Sequence, residues 1–154
     1  MFGKQKIVEK RTVLFVDDDE AILKSLERGL LDEPYDKLFV KSCKEALEIL
    51  RREEVHVIVT DMRMPEMTGL ELLRIIKKEY PHIIGIVLSG YIQDTTLQTA
   101  VEQKEIFTLI PKPWKLGGTF ETFVRRAIDR YNLQNEHGLS GGRKLEKCKA
   151  KLRE

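Results

Sequence analysis

Cysteine is scarce in this sequence: Cys43 and Cys148 are the only two in 154 residues, and neither belongs to a metal-ligand spacing pattern. This scarcity excludes a disulfide framework and predicts two free thiols in a reducing compartment. Long apolar runs are also lacking, since none approaches the roughly 18 residues of a membrane span. Residues 1–6 lack the apolar core of a signal peptide. Together these absences predict a soluble protein of the cytoplasm.

An excess of charge of one sign is absent from most of the chain. Its 27 basic and 25 acidic side chains give a formal net charge of +2. Residues 143–154 hold six basic and two acidic side chains, a local +4, so that residues 1–142 sum to −2. A basic segment can contact nucleic acid or membrane, but we expect this one to be a solvated tail or a short helix. The body has no basic stripe with interleaved aromatic residues. Direct binding of nucleic acid or membrane is therefore not expected.

Hydrophobic residues are plentiful, at 42% beside 34% charged residues, which excludes a disordered chain. Five short apolar runs alternate with segments of helical spacing, and the runs cover residues 12–16, 38–40, 55–60, 83–88 and 106–110. The first, third and fourth runs are almost continuous in aliphatic and aromatic residues, as expected for strands buried on both faces of a parallel sheet. The alternation predicts an α/β fold with a doubly wound, five-stranded parallel sheet and helices on both faces.

Two helix starts have the sequence of a capping box, in which a hydroxyl and a carboxylate satisfy free backbone N–H groups. One pairs Ser42 with Glu45, and the other pairs Thr68 with Glu71. Both precede segments of helical spacing, so they support the alternation of strands and helices.

The chain is long enough to form one domain with a single core. Helical spacing fails after Tyr131, and residues 135–142 are polar and rich in glycine. We therefore predict an extension at residues 1–10, one domain over 11–134, and at 135–154 a linker with a basic tail that has the spacing of one short helix. No second core or DNA-binding helix pair follows, so the chain is expected to be either a stand-alone domain or a fragment of a longer protein.

Polar side chains follow four of the five predicted strands at the point where each strand ends. They are Asp17, Asp18 and Asp19 after the first strand, Asp61 after the third, Ser89 after the fourth and Lys112 after the fifth. Because the carboxyl ends of parallel strands meet at one edge of the sheet, we expect these groups to converge. Crowded carboxylates favour Mg²⁺, and an aspartate can act as a nucleophile that carries an acyl phosphate. An ammonium and a hydroxyl can neutralise a transferred phosphoryl group.

Four segments of the chain resemble the receiver domain of two-component response regulators, in the order and spacing of that family. They are residues 13–19 (VLFVDDD), 59–69 (VTDMRMPEMTG), 88–91 (LSGY) and 112–114 (KPW). The resemblance covers residues 11–132 and implies a flavodoxin-like sheet with strand order 2-1-3-4-5. It also implies that Asp61 is the phosphoacceptor. Mg²⁺ would be held by Asp17, Asp18, Asp61 and the backbone carbonyl of Arg63.

The resemblance further implies that Ser89 is the switch hydroxyl and that Lys112 is the lysine of the family. The function it implies is a phosphorylation-dependent signalling switch with no enzymatic activity beyond its own phosphorylation and dephosphorylation. The implied partners are a sensor histidine kinase or a phosphotransfer protein, and an output domain beyond the C-terminus. A second copy of the chain is a further implied partner, bound through the face of the fourth helix, fifth strand and fifth helix.

Some positions depart from the family pattern. Leu109 replaces an aromatic residue that usually swings between exposed and buried states, so the switch is expected to be weaker. Gly117 and Gly118 are expected to loosen the start of the last helix. The Lys-Pro-Trp sequence, ending at Trp114, resembles receivers at the N-terminus of longer regulators.

Three residues are interpreted through the backbone conformations they permit. Pro65 has no N–H to donate and Gly69 can take a positive φ angle, so the loop after Asp61 can turn tightly. Pro111 lies in the fifth strand, where a proline is tolerated because that strand is expected at an edge of the sheet.

Two alternative functions stay open at this point. One is a phosphatase with an Asp-x-Asp nucleophile formed by Asp17 and Asp19, although this pattern is short and leaves the segment from Asp61 to Gly69 unexplained. The other is a receiver fold that binds partners independently of phosphorylation, which the leucine at position 109 favours.

Overall fold

The computed structural model describes residues 10–90, 94–112 and 117–139. Tyr91, Pro113, Trp114 and Cys148, together with the predicted basic tail, lie outside the described residues. Ten elements follow one another along the chain: β1 (Thr12–Val16), α1 (Glu20–Gly29), β2 (Asp36–Val40), α2 (Cys43–Arg52), β3 (Val57–Asp61), α3 (Gly69–Glu79), β4 (Ile84–Ser89), α4 (Thr95–Glu102), β5 (Thr108–Pro111) and α5 (Thr119–Leu139). Among the helices of the described residues, none combines the length and the apolar character needed to span a bilayer.

The five strands form one parallel sheet in the order β2-β1-β3-β4-β5. The predicted fold class and strand order are thus confirmed. All five residues of β3 are buried because this strand lies at the centre of the sheet and has helices on both faces. The edge strand β2 begins at Asp36, two residues before the apolar run that predicts it, since its first residues are partly exposed.

Two apolar clusters fill the space between the sheet and the helices. On one face, α1 and α5 pack against the strands through residues that include Phe15, Leu26 and Phe120. On the other face, α2, α3 and α4 pack through residues that include Leu50 and Leu72. Successive residues of a strand point to opposite faces, so neighbouring residues of β1 contribute to different clusters.

Side chains cap the first turns of the helices. Thr68 and Glu71 form the predicted capping box, in which each side chain accepts from the backbone of the other. Ser42 also accepts from the Glu45 N–H, but the Glu45 carboxylate accepts from Lys41 N at 2.8 Å. The prediction of a capping box at Ser42 is therefore wrong in one of its two hydrogen bonds. The Glu45 carboxylate accepts from the N–H of Lys41, one residue before Ser42.

The start of α5 is fixed rather than loosened. The carboxylate of Glu121 accepts from Gly117 N at 2.6 Å and from Gly118 N at 2.9 Å. Gly117 has a φ of +94°, a conformation that favours glycine. Burial favours the neutral carboxyl, but these backbone N–H groups and the Arg125 charge outweigh it and lower the pKa of Glu121. The expected loosening by the two glycines is thus wrong.

The last helix continues beyond the end of its apolar spacing. Among the α5 residues whose side chains the structure describes, Tyr131 is the last in the buried cluster, and Leu133 is 55% exposed. The helix nevertheless extends to Leu139, and Asn135 Nδ2 donates to the Tyr131 carbonyl. The helix therefore includes residues 135–139 of the predicted linker. Sequence spacing misses this turn because the apolar periodicity ends at Tyr131.

Candidate functional site

Three carboxylates meet at the carboxyl ends of β1 and β3. Asp17 and Asp18 follow β1, and Asp61 is the last residue of β3. One carboxylate oxygen from each of the three lies within 4.8 Å of the others. Asp17 is 1% exposed and Asp61 is 7% exposed, whereas Asp18 is exposed to solvent. The sheet brings these acids together because β1 and β3 are parallel neighbours.

The carboxylate of Asp17 is only half satisfied by protein groups. Its Oδ1 accepts from Asp19 N at 2.9 Å, while its Oδ2 is buried and has no hydrogen-bond donor among the described residues. Burial is the main cause that raises the pKa of Asp17 to about 6, and the nearby negative charge of Asp61 raises it further. The Asp19 N–H and the Lys112 charge act in the opposite direction.

This donor set fits a hard divalent cation. Mg²⁺ prefers oxygen ligands and is commonly held by one or two carboxylates, with water or phosphate oxygens completing its octahedron. The unpartnered Oδ2 of Asp17, beside Asp18 and Asp61, has the chemistry that such a ligand requires. Arg63 follows β3 by two residues with its side chain exposed, and the role of its backbone carbonyl stays a prediction.

Lys112 reaches the same acids from the carboxyl end of β5, at the same edge of the sheet. Its Nζ lies 2.6 Å from Asp61 Oδ1, and the two side chains are 27% and 10% exposed. Its backbone N donates to the carbonyl of Ser89 at 2.9 Å, which continues the pairing of β4 and β5 by one residue. The backbone of β4 therefore holds Lys112 at the end of β5.

Ser89 lies at the end of β4 and is 3% exposed. Pro111 pairs with it across the sheet and is the last residue of the edge strand β5. The prediction that the sheet tolerates a proline here because the strand is an edge strand is confirmed. The structure thus places Ser89, like Lys112, at the edge of the sheet where the carboxylates converge.

Gly69 is required by a close contact rather than by its dihedral angles. A β-carbon at this position would lie 2.3 Å from the carbonyl oxygen of Asp61 and 3.0 Å from Thr60 Cγ2. Gly69 begins α3 without a positive φ, so the positive angle that glycine permits is not adopted here. Its N–H donates to the carbonyl of Met62, which closes the loop against the end of β3.

Sequence analysis misses one residue of this arrangement, Thr60. It is fully buried in β3, and its Oγ1 donates to the carbonyl of Asp61 at 3.0 Å. The only signal in the sequence is a polar residue directly after three aliphatic residues of the strand. Thr60 and Gly69 therefore contact the backbone of Asp61, whereas Lys112 contacts its side chain.

Leu109, which replaces the aromatic residue usual in the family, is partly buried. Leu109 lies in β5 opposite Val87 and packs against the cluster beneath α2, α3 and α4. Its aliphatic side chain has no polar group that would favour an exposed position.

Comparisons with known proteins agree with this architecture. Residues 13–122 match the protein family described as response regulator receiver domain. The hydrogenase transcriptional regulatory protein HoxA of Cupriavidus necator is 38% identical over 128 residues, which are 83% of this chain and 26% of that protein. The chain spans 26–27% of the length of three such curated regulators.

Solved structures give the same result. The signal receiver domain of an HD domain-containing protein from Pseudomonas fluorescens Pf-5 has a TM-score of 0.77 at 27% identity, over 88% of this chain and 98% of that one. The beryllofluoride-activated NtrC4 receiver domain dimer has a TM-score of 0.71 at 30% identity, over 78% of this chain and 98% of that one. The Lys-Pro-Trp subtype stays a prediction. The fold of this chain, the geometry of its site and these matches show that the chain belongs to the family of response regulator receiver domains.

Proposed function

We propose that this chain is a phosphorylation-dependent signalling switch in which Asp61 takes a phosphoryl group from a sensor histidine kinase or a phosphotransfer protein. The observation that carries the proposal is the surroundings of the Asp61 carboxylate. It contacts the Lys112 ammonium and lies within 4.8 Å of carboxylate oxygens of Asp17 and Asp18. Phosphoryl transfer needs compensation of spread negative charge from several directions. The Lys112 ammonium would supply positive charge directly, and the carboxylates would supply it by holding Mg²⁺.

The transfer forms one bond and breaks one. A carboxylate oxygen of Asp61 attacks phosphorus, and the P–N bond of the donor phosphohistidine breaks. The electron pair of that bond returns to the imidazole, which takes up one proton. The product on Asp61 is an acyl phosphate, and the Lys112 ammonium, 2.6 Å from the acceptor carboxylate, offsets the charge that the phosphoryl group adds.

Asp17, Asp18 and Asp61, with the backbone carbonyl of Arg63, are the groups that would hold Mg²⁺. When bound, the ion would offset the negative charge of the phosphoryl oxygens and of the crowded carboxylates. The buried, unpartnered Oδ2 of Asp17 supports this assignment because a buried carboxylate oxygen without a partner is costly.

Signal transmission is proposed to start at Ser89. The hydroxyl would move toward the oxygens of the new acyl phosphate, because a charge-assisted hydrogen bond is roughly twice as strong as a neutral one. That movement would open space beside Leu109 and shift the surface of α4, β5 and α5. Since a leucine gains no polar contact when exposed, we expect a partial shift of populations rather than an all-or-none change.

The partners follow from the family and from the short span of the chain. HoxA is a transcriptional regulatory protein and is much longer than this chain, so we propose an output domain linked to α5. A beryllofluoride-activated relative is described as a dimer, and we propose the same for this chain through the face of α4, β5 and α5. We place this phosphotransfer in the cytoplasm.

The proposal is tested by intact-mass measurement after incubation with acetyl phosphate. With Mg²⁺ we expect one phosphoryl group per chain, and with excess EDTA we expect none. An Asp61→Asn variant should gain no phosphoryl group, and Asp36→Asn, an exposed aspartate at the opposite end of the sheet, should behave as the parent does. Uptake that is equal in the Asp61 variant and the parent would contradict the proposal.

A turnover assay separates the switch from the phosphatase alternative. In the structure, Asp19 accepts from Ala21 N and caps α1, so it is already engaged in holding a helix. We expect no sustained release of phosphate from p-nitrophenyl phosphate. Many turnovers per chain, lost in Asp17→Asn, would instead support the enzyme.

A fluorescence measurement distinguishes the proposed switch from a receiver fold that binds partners independently of phosphorylation. Trp114 is the only tryptophan of the chain. Mg²⁺ with beryllofluoride should change its emission in the parent and much less in Ser89→Ala. The absence of any change in the parent would favour the independent module.

A further inference from the structure

A cleft of about 320 Å³ opens at the amino ends of β4 and β5, at the edge of the sheet opposite Asp61. Its floor consists of buried apolar side chains, contributed by α3, β4 and the segment before β5: Leu73, Ile76, Ile84 and Ile106. Its rim carries three exposed cationic residues, Lys77, Lys104 and Arg130. An apolar floor with a few convergent charged groups is typical of a ligand site, and the volume lies at the lower end of the usual range.

The backbone of one rim residue is strained. Lys104 has a φ of +64° and occupies the position after the end of α4 where glycine is usual. Lys104 N donates to the Val101 carbonyl and Glu105 N donates to the Ala100 carbonyl, which together form a Schellman motif. Glycine would adopt this conformation without steric cost, whereas the lysine adopts it with a backbone penalty.

The other charged groups of the rim are held in place by the protein. Lys77 Nζ donates to the Lys104 carbonyl at 2.7 Å, which ties α3 to the end of α4. The Arg130 guanidinium lies over the Phe107 ring, 5.1 Å from its centroid. The only carboxylate among the lining residues, Glu105, accepts from Arg74 at 3.1 Å, so its charge is already offset.

We propose that this cleft binds a small amphipathic anion, with an apolar body on the floor and one carboxylate, sulfonate or phosphate group at the rim. The three cations of the rim exceed the single paired carboxylate, so an anionic group is favoured there. The volume suits a small molecule rather than a helix. The basic tail of the chain, with six cationic residues, carries the wrong sign to occupy it. The site is separate from the acidic pocket, and its occupancy does not depend on the proposed phosphorylation.

The test uses 8-anilinonaphthalene-1-sulfonate, an amphipathic anion whose fluorescence rises in apolar surroundings. We expect saturable binding of one molecule per chain. In ¹H–¹⁵N spectra the shifts should concentrate at Gly85, Ile106 and Phe107. Shifts that concentrate at Asp61 and Ser89 instead would overturn the proposal.

Two variants test the cations. Lys77→Gln and Lys104→Gly should each weaken binding by about threefold, the size expected for one partly exposed ion pair. Lys104→Gly keeps the carbonyl that holds Lys77 and relieves the positive φ, so its melting temperature should not fall. Lys78→Gln is the matched control, because it removes the same charge from the next residue of α3, which does not line the cleft.

A neutral analogue tests the anionic group directly. N-phenyl-1-naphthylamine has the same aromatic body without the sulfonate, and we expect it to bind more weakly. Equal affinities for the two probes would overturn the proposal, because the cations of the rim would then not bind the anionic group. Equal loss of affinity in Lys78→Gln and Lys77→Gln would overturn it for the same reason.

Discussion

The first residue of α3 touches the end of β3: a β-carbon on Gly69 would lie 2.3 Å from the carbonyl oxygen of Asp61. The obstacle is backbone, which cannot rotate away as a flexible side chain would. The start of α3 and the end of β3 are therefore in direct backbone contact at the site. The loop that carries Arg63 and Pro65 runs between these two fixed points.

The first prediction follows from this contact. Gly69→Ala should lower the free energy of unfolding by about 1–3 kcal/mol, because the added methyl group forces a backbone shift. Urea denaturation measures the change. Gly90→Ala is the control: a β-carbon there meets no atom within 4 Å, and its cost should stay within about 0.5 kcal/mol. Equal losses in the two variants would contradict the steric account.

The second prediction concerns the pH dependence of stability that arises from Asp17. Its folded pKa of about 6 exceeds its ordinary value of 3.8, so the folded state holds the proton more tightly than the unfolded state. This group therefore destabilises the fold as pH rises from about 4 to about 6, by about 2–3 kcal/mol in total. Asp17→Asn should lose this part of the dependence. The measurement is the free energy of unfolding at several pH values between about 4 and about 6. Identical slopes of this free energy against pH in parent and variant would contradict the prediction.

The same variant tests the metal site. Millimolar Mg²⁺ should raise the melting temperature of the parent, because a ligand that binds only the folded state stabilises it. Asp17→Asn should show no rise. A rise of equal size in the variant would place the ion elsewhere.

The third prediction concerns Lys112. Lys112→Gln removes the ammonium that lies 2.6 Å from Asp61, and it should slow uptake of a phosphoryl group from acetyl phosphate on the order of a hundredfold. Time-resolved intact-mass measurement gives the rate. Lys78→Gln carries the same charge change on exposed helix surface and should leave the rate unchanged. An unchanged rate of phosphoryl uptake in Lys112→Gln would show that the lysine does not assist the transfer.

The fourth prediction concerns the start of α5. Glu121→Gln should destabilise the fold at neutral pH by about 1.5–3 kcal/mol, the range for hydrogen bonds to a charged group. The folded pKa of Glu121 is lowered, so its contribution is present above its ordinary pKa of 4.5 and is lost as pH falls below that value. The difference between parent and variant should therefore shrink in acid. Glu48→Gln, on the exposed face of α2, should show neither effect.

The convergence at the sheet edge was predictable because it follows from local signals and topology. The apolar runs indicate buried strands, and parallel strands bring residues after their carboxyl ends together, as Asp17, Asp61 and Lys112 show. The amino end of each strand carries no such signal. The cleft beside Lys104 is therefore visible only in the structure.

Other features depend on contacts between distant segments. Nothing in the sequence indicates that Gly69 meets the Asp61 carbonyl, because that contact arises only when α3 packs against β3. The role of Glu121 did have a local signal, since it lies three residues after Gly118, where a carboxylate can accept from free N–H groups. The two glycines alone indicate a flexible segment, but the Glu121 carboxylate binds the N–H groups of both.

Borohydride trapping tests the central claim most directly. Sodium borohydride reduces an aspartyl phosphate to homoserine, so peptide sequencing by mass spectrometry locates the acceptor after treatment with acetyl phosphate and Mg²⁺. The account places the homoserine at position 61, with unmodified aspartate at Asp17, Asp18 and Asp19. Homoserine at any of these three positions, with Asp61 unmodified, would contradict it.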